Sequence, residues 1–266
     1  NFNTGELFLR FNEPIQVGTF VPSAITMIST VNAASTAITG AQSIHLDGVS
    51  TIRIVMTMSD FNNLKIAEAS GHLDTMVLAY QAGEDYFGND YPGNTELNPI
   101  PESDSTSDSL APSLLSADMD VMKGTLLLYF DEIVDTSVLD PSHITIMSTS
   151  DENTALTFQL TKYTTINLMD DGGISMDMKI FRKDWVDFKA VGEIGTSTTN
   201  TFIKYDQISD VFGNTMSAAA VRQTDSVSAD ATNVRVLGFR IEDVTPNYRL
   251  EISFDKPILI SSFKCS

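Results

Sequence analysis

Three histidines, one cysteine and several groups of carboxylates are the side chains of this 266-residue sequence that could carry chemistry. His45, His72 and His143 sit at spacings that assemble neither a metal cluster nor a Ser-His-Asp arrangement. Asn12/Glu13, Asp131/Glu132 and Asp255/Lys256 are sequence neighbours just after a strand. A glycosidic acid and base must face each other across a cleft, so these residues are read as decorating a turn. Asp85-Tyr-Phe87-Gly88-Asn89 and Asp210-Val-Phe212-Gly213-Asn214 resemble the kinase Asp-Phe-Gly triplet only superficially. Their aspartates stand one residue too far away, and neither a glycine-rich loop nor a strand lysine accompanies them. No catalytic residue is assigned, and the chain is not expected to be an enzyme. No cofactor is expected either, with one ion to weigh. Asp85, Asn89, Asp104, Asp108, Asp118 and Asp120 are oxygen donors near the ends of repeated segments, where calcium could stiffen a linker. They show no twelve-residue loop or other fixed ligand spacing, and a solvated acidic surface is the alternative. The single Cys265 allows no disulfide within the chain.

The elements that position these residues are written more than once. Gly5-Glu-Leu-Phe-Leu-Arg-Phe11 returns as Gly124-Thr-Leu-Leu-Leu-Tyr-Phe130, and with drift as Tyr248-Arg-Leu-Glu-Ile-Ser-Phe254. Leu7, Leu9 and Phe11, Leu126, Leu128 and Phe130, and Leu250, Ile252 and Phe254 alternate with other residues, which places each set on one face of a β-strand. Recurrence at an offset of 119 and then 124 positions is the mark of tandem units, each large enough to bury a core.

The intervening segments match as well. Val21-Pro22-Ser-Ala-Ile25-Thr-Met27 corresponds to Asp140-Pro141-Ser-His143-Ile144-Thr-Ile146, a second strand opened by proline. Asp47-Gly48 and Asp171-Gly172 are hairpin turns, followed by strands through Ile52, Ile54 and Met56, or Met176, Met178 and Ile180. The period then becomes helical. Asp60 and Asp184 suit the first turn, with Phe61/Leu64 and Trp185/Phe188 as core-facing pairs ahead of Lys65 and Lys189. A closing strand leads into Asp-x-Phe-Gly-Asn, read as a tight turn with its Phe buried. These alignments divide the chain into a first unit over 1–98 that lacks its opening strand, an acidic linker over 99–112, and a complete second unit over 113–222. A further linker over 223–233 leads to the start of a third unit over 234–266. The sequence reads as a window on a longer array.

Sixteen basic against 35 acidic residues give a net charge of −19 and a pI near 4.3. Such a surface repels phosphates, so nucleic acid and anionic membranes are excluded as partners. No run of 18 apolar residues occurs, so no membrane insertion is expected in this segment. The Ser/Asp/Thr-rich stretch from Ser103 to Ser109 reads as a solvated connector whose hydroxyls would take O-linked sugar in a secreted protein.

Taken together, the Gly-x-Leu-x-Leu-x-Phe strand, the Pro-Ser-x-Ile-Thr segment, the Asp-led crossover and Asp-x-Phe-Gly-Asn resemble the bacterial Ig-like (SbsA-type) repeats of large surface proteins. They are also similar to repeats of extracellular filament proteins such as those of mastigonemes, the flagellar hairs. The resemblance implies an all-β fold of tandem Ig-like sandwiches, each with a short helical crossover. It implies a secreted structural segment with no shared active site, whose partners are other copies of itself or further repeats of the same polypeptide. The run from Ala33 to Ser43 departs from the family as an insertion. Outward residues Phe8, Leu127 and Tyr129 are candidates for lateral packing. Two other functions fit the same architecture: an adhesin or carbohydrate-binding module using Tyr86, Tyr91 and Tyr163, and accessory domains of a secreted hydrolase. A strand exchanged between chains at an incomplete unit is a further route to assembly.

Overall fold

The computed structural model describes residues 1–31, 34–71, 73–94, 100–101, 105–169, 174–216, 219–244 and 247–258. His72, Asp104, the Asp171-Gly172 turn and Cys265 lie outside them. The chain is all-β in class, with two α-helices among many short strands in the described residues.

The first unit contains β1 (Glu6–Arg10), β2 (Ile25–Ile28), β3 (Ser35–Ala37), β4 (Ala41–Leu46), β5 (Thr51–Met56), α1 (Met58–Gly71), β6 (Thr75–Leu78) and β7 (Ile100–Pro101). Two sheets, β1-β5-β4 and β3-β2-β6-β7, share one apolar core. The second unit opens with β8 (Leu114–Asp120) and β9 (Thr125–Phe130). It continues through β10 (Ile144–Met147), β11 (Thr157–Gln159), β12 (Tyr163–Leu168), β13 (Ser175–Ile180), α2 (Arg182–Val191), β14 (Phe202–Tyr205), β15 (Ala220–Gln223) and β16 (Ser226–Ser228). Its sheets are β12-β13-β9-β8-β16 and β11-β10-β14-β15 around a separate core. Strand for strand, β1 to β7 correspond to β9 to β15 and pair among themselves in the same order, with β8 and β16 added beside β9 in the second unit. The described part of the stretch from Ala33 to Ser43 forms β3 and the start of β4, matched by β11 and β12. Within this chain the stretch is common to both units.

Alternation sets the core as expected. Leu126, Leu128 and Phe130 are fully buried, as are Met176 and Met178 opposite them on β13. On β1, Leu9 is buried but Leu7 and Phe11 are only partly covered. The cause is the flank: β8 pairs antiparallel with β9 and lays Ala117 and Met119 over the same core, whereas β1 has a neighbour only in β5. Phe8 is exposed on the outer face of β1, while Leu127 and Tyr129 are half-buried.

Each helix is clamped by the same two devices. Asp60 accepts bonds from the Thr39 and Gly40 amides at 3.0 and 3.1 Å, and Asp184 from the Thr161 and Lys162 amides at 2.6 and 3.0 Å. Both carboxylates are buried and tie the first helical turn to the preceding strand connection. At the head of the repeated strand, Gly5 and Gly124 adopt φ +67 and +69° beneath an aromatic ring. A Cβ on Gly124 would lie 2.8 Å from the Trp185 ring, and one on Gly5 would lie 3.3 Å from Phe61.

The final element is a hairpin of β17 (Val236–Val244) and β18 (Asn247–Phe254). It copies β8-β9 down to a register shift near the same point, between Val236 and Gly238 as between Leu114 and Ser116. Phe239, Ile241 and Leu250 are exposed where their counterparts Ala117, Met119 and Leu126 are buried.

Candidate functional site: a buried charge junction between units

The polar groups that converge lie between the units. On α1, Leu64 faces the first core and Phe61 packs against it, so the next residue, Lys65, emerges toward the second unit with its ammonium 4.7 Å from the Phe61 ring centroid. The connector supplies Asp108, whose carboxylate is 2.5 Å from the Lys65 ammonium. The connector is itself held by a bond from the Phe2 amide to the Thr106 carbonyl at 2.9 Å and one from the Ser109 amide to Asn3 Oδ1 at 2.9 Å. The second unit adds Glu132, just beyond β9, which accepts a short bond from Lys65. It also adds Asp210, brought alongside by an antiparallel bridge between Val134 and Asp210. Asp108, Glu132 and Asp210 are all buried and offer carboxylate oxygens within 4.8 Å of one another.

The ammonium thus pairs with two of three clustered carboxylates away from water. Burial, followed by the negative charges of Asp108 and Asp210, outweighs the Lys65 bond and pushes the Glu132 carboxyl up to about 7. Burial opposes the Lys65 ammonium, but its bonds to Asp108 and Glu132 carry it above its ordinary value. Three oxygens are the start of a site for a hard divalent cation, but here the lysine ammonium occupies that role. An aromatic contact completes the joint, with the Phe2 and Phe212 rings 5.7 Å apart. A cavity of about 570 Å³ opens beside the cluster, lined from both sides by Phe61, Lys65, Leu110, Asp131 and Glu132.

The same joint recurs one unit along, with one sign reversed. Lys189 on α2 lies 3.4 Å from the Trp185 ring centroid and 2.6 Å from Asp230, a connector residue six positions before β17 as Asp108 is six before β8. The residue in the place of Glu132 is Lys256, 3.0 Å from the same carboxylate. Burial works against ionised Asp230, yet bonds from Lys189, Thr232 and Lys256 hold it well below the usual carboxylate range.

No family model, curated protein or solved structure matches this chain.

The residues singled out as calcium ligands are dispersed among local bonds. Asp85 and Asn89 close their own turn, with Asn89 Nδ2 donating to Asp85 Oδ2 at 2.7 Å. Those bonds, from the Asn89 backbone and side chain first, hold Asp85 below its ordinary pKa. Asp118 accepts from Ser226 at 2.7 Å, and Asp120 accepts the Lys123 amide at 2.8 Å. Among the described members of the group, Asp108 alone reaches the junction. His143 pairs with Asp206 at 2.6 Å, and His45 with Ser43 at 2.9 Å.

Two readings need correction. Glu132 does not decorate a solvated turn, because it is 5% exposed and ion-paired across units. The Phe of Asp-x-Phe-Gly-Asn is not a core residue. Phe87 is 92% exposed, and Phe212 is covered in part by Phe2 of the other unit. The three tyrosines of the carbohydrate reading lie in dissimilar settings. Tyr86 is exposed, Tyr91 stacks edge-on with Phe11, and Tyr163 packs against the second core. Lys65, Lys189 and Asp210 stand in matched segments but were given no role there, and Asp230 was not singled out. The signal available was the shared placement of Lys65 and Lys189 four residues after an aromatic, followed by an acidic connector.

Proposed function

We propose that this chain is a structural segment of a large secreted cell-surface or extracellular filament protein, in which Ig-like repeats act as spacer and assembly modules. The observation that carries the reading is the recurrence of one joint at two successive boundaries. Each time it joins a helix lysine, a connector aspartate and the residue two places beyond a phenylalanine of the next unit. A buried charge left without its partner is costly, so such a joint favours one relative placement of its two sides. Units joined this way transmit length and direction, which a flexible connector does not.

Small-angle scattering on the intact chain tests this. A rigid segment gives a pair-distance distribution of one fixed extended particle, and Lys65→Met broadens it. Two units reorienting freely in the parent chain would defeat the proposal.

A further inference from the structure

The joint between the units holds the parts of a condensation reaction. Lys65 Nζ lies 2.5 Å from Asp108 Oδ2, and the two side chains are 3% and 0% exposed. The carboxyl carbon is at most one C–O bond further, close to the reacting distance of about 3–3.5 Å. The two oxygens of Asp108 are held differently. Oδ1 accepts the Leu110 amide at 3.2 Å, whereas Oδ2 is buried and makes no directed hydrogen bond. Glu132 accepts a short bond from the same Nζ and is itself buried. Asp210, the third carboxylate, is committed to its own turn through the Phe212 and Asn214 amides. Burial, helped by the charges of Asp108 and Asp210, pushes the Glu132 carboxyl up to about 7, so near neutral pH it can both take and give a proton.

We propose that Lys65 and Asp108 condense into an isopeptide bond that ties α1 to the connector, with Glu132 as the proton carrier. Glu132 first moves one proton from the ammonium to Asp108 Oδ2, leaving an uncharged amine beside an uncharged carboxyl. Nζ attacks Cγ, and charge gathers on Oδ1, which the Leu110 amide already faces. The Cγ–Oδ2 bond breaks as Glu132 carries a second proton from the nitrogen to Oδ2. One ammonium and one carboxylate become one amide and one water, so atoms and charge balance without another reactant. Burial penalises both charges of the starting pair and favours the neutral amide, and the adjoining cavity gives the water a way out. The second joint supplies the contrast. Asp230 lies 2.6 Å from Lys189, but both its oxygens carry hydrogen bonds and Lys256 stands in the place of Glu132. An ammonium there cannot take the proton, so that pair stays ionic. In the first joint the bond leaves only residues 109–113 between the cross-link and β8, and tension on the ends of the chain bypasses β6 and β7.

The use of the bond as a lock rests on the spacer reading, but its formation is tested separately from the scattering experiment. The intact mass of the 266-residue chain, folded at neutral pH and then denatured, should fall short of the sequence mass by one water. Trypsin should leave residues 54–123 joined, because an acylated Lys65 is no longer a cleavage site, while cleavage after Lys189 proceeds. Fragmentation of that peptide should place the loss on a bridge between Lys65 and Asp108. Glu132→Gln should slow the loss by about a hundredfold or more, as removal of a general acid–base does, with Trp185 fluorescence reporting that the fold is kept. A parent chain that keeps its full mass would overturn the inference. So would an equal loss in Lys65→Met, which marks ring closure of Asp108 onto the Ser109 nitrogen, or a bridge to Glu132 in place of Asp108. In each of these cases a rigid scattering profile for the intact chain would leave the spacer reading standing.

Discussion

At the scale of single residues, the joint makes its contribution through an imbalance of charge. Removing Lys65 leaves Asp108, Glu132 and Asp210 facing each other without a counter-charge, and breaking a buried pair in this way costs about 3–5 kcal/mol. Lys65→Met should therefore lower the urea midpoint of the chain strongly. Calcium in millimolar amounts should recover part of the loss, because three converging carboxylates without an ammonium invite a hard cation. The parent chain, where Lys65 holds the place, should respond far less. Glu132 titrates with the opposite sign from most native carboxylates. Its folded pKa, about 7, lies above the ordinary value of 4.5, so its stabilising contribution is complete below pH 4.5. That contribution is lost as pH rises through 7, because the folded state must then hold an ionised carboxylate that the unfolded state ionises more easily. Denaturant unfolding should show about 2 kcal/mol of stability lost from this group between pH 5 and 8. Glu132→Gln should flatten that dependence. Asn62 offers a simpler case: its side-chain nitrogen and oxygen are buried without hydrogen-bond partners, and its counterpart in the second unit is Val186. Asn62→Val should raise stability by about 1 kcal/mol in thermal or urea melts, since an unsatisfied buried amide is lost.

At the scale of elements, the repeated strand and the helix that crosses behind it form one device. Period-two alternation was enough to assign β1, β9 and β18 as strands and the inward face of β9, because a strand burying one face must alternate, whereas Leu250 on β18 is exposed. The glycine heading the strand was legible as part of the motif, but its reason was not. Only packing shows that Phe61 and Trp185 lie over Gly5 and Gly124. Gly124→Ala should cost about 2 kcal/mol or more, since it combines positive φ with a Cβ held against an indole. Gly5→Ala should cost less, because the nearest ring atom is 3.3 rather than 2.8 Å away. Parallel urea melts would rank the two, and equal effects would contradict this account. The Asp-x-Phe-Gly-Asn turn shows where local reading fails. Its aspartate accepts backbone amides as turn chemistry predicts, and its asparagine side chain donates to that aspartate, but an aromatic between them is assumed to seek its own core. In this fold the turn lies at an end of the unit, so the ring is left for the neighbour.

At the scale of the whole molecule, two cores built on one plan are connected by a charge joint, and a hairpin repeats the opening of the plan. The matching register shifts of β8-β9 and β17-β18 make internal homology a structural fact as well as a sequence one. The β-rich class, the order of strands and the offset between units were determined by the chain itself, because alternation, turn residues and repetition act over short stretches of sequence. Tertiary structure alone decided the site. Lys65, Asp108, Glu132 and Asp210 are separated by up to 145 positions. Each belongs to an unremarkable local setting, and only the placement of one unit against the next removes water from all four. A charge becomes functional when its solvent is taken away, and that is a property of the assembled surface rather than of any segment.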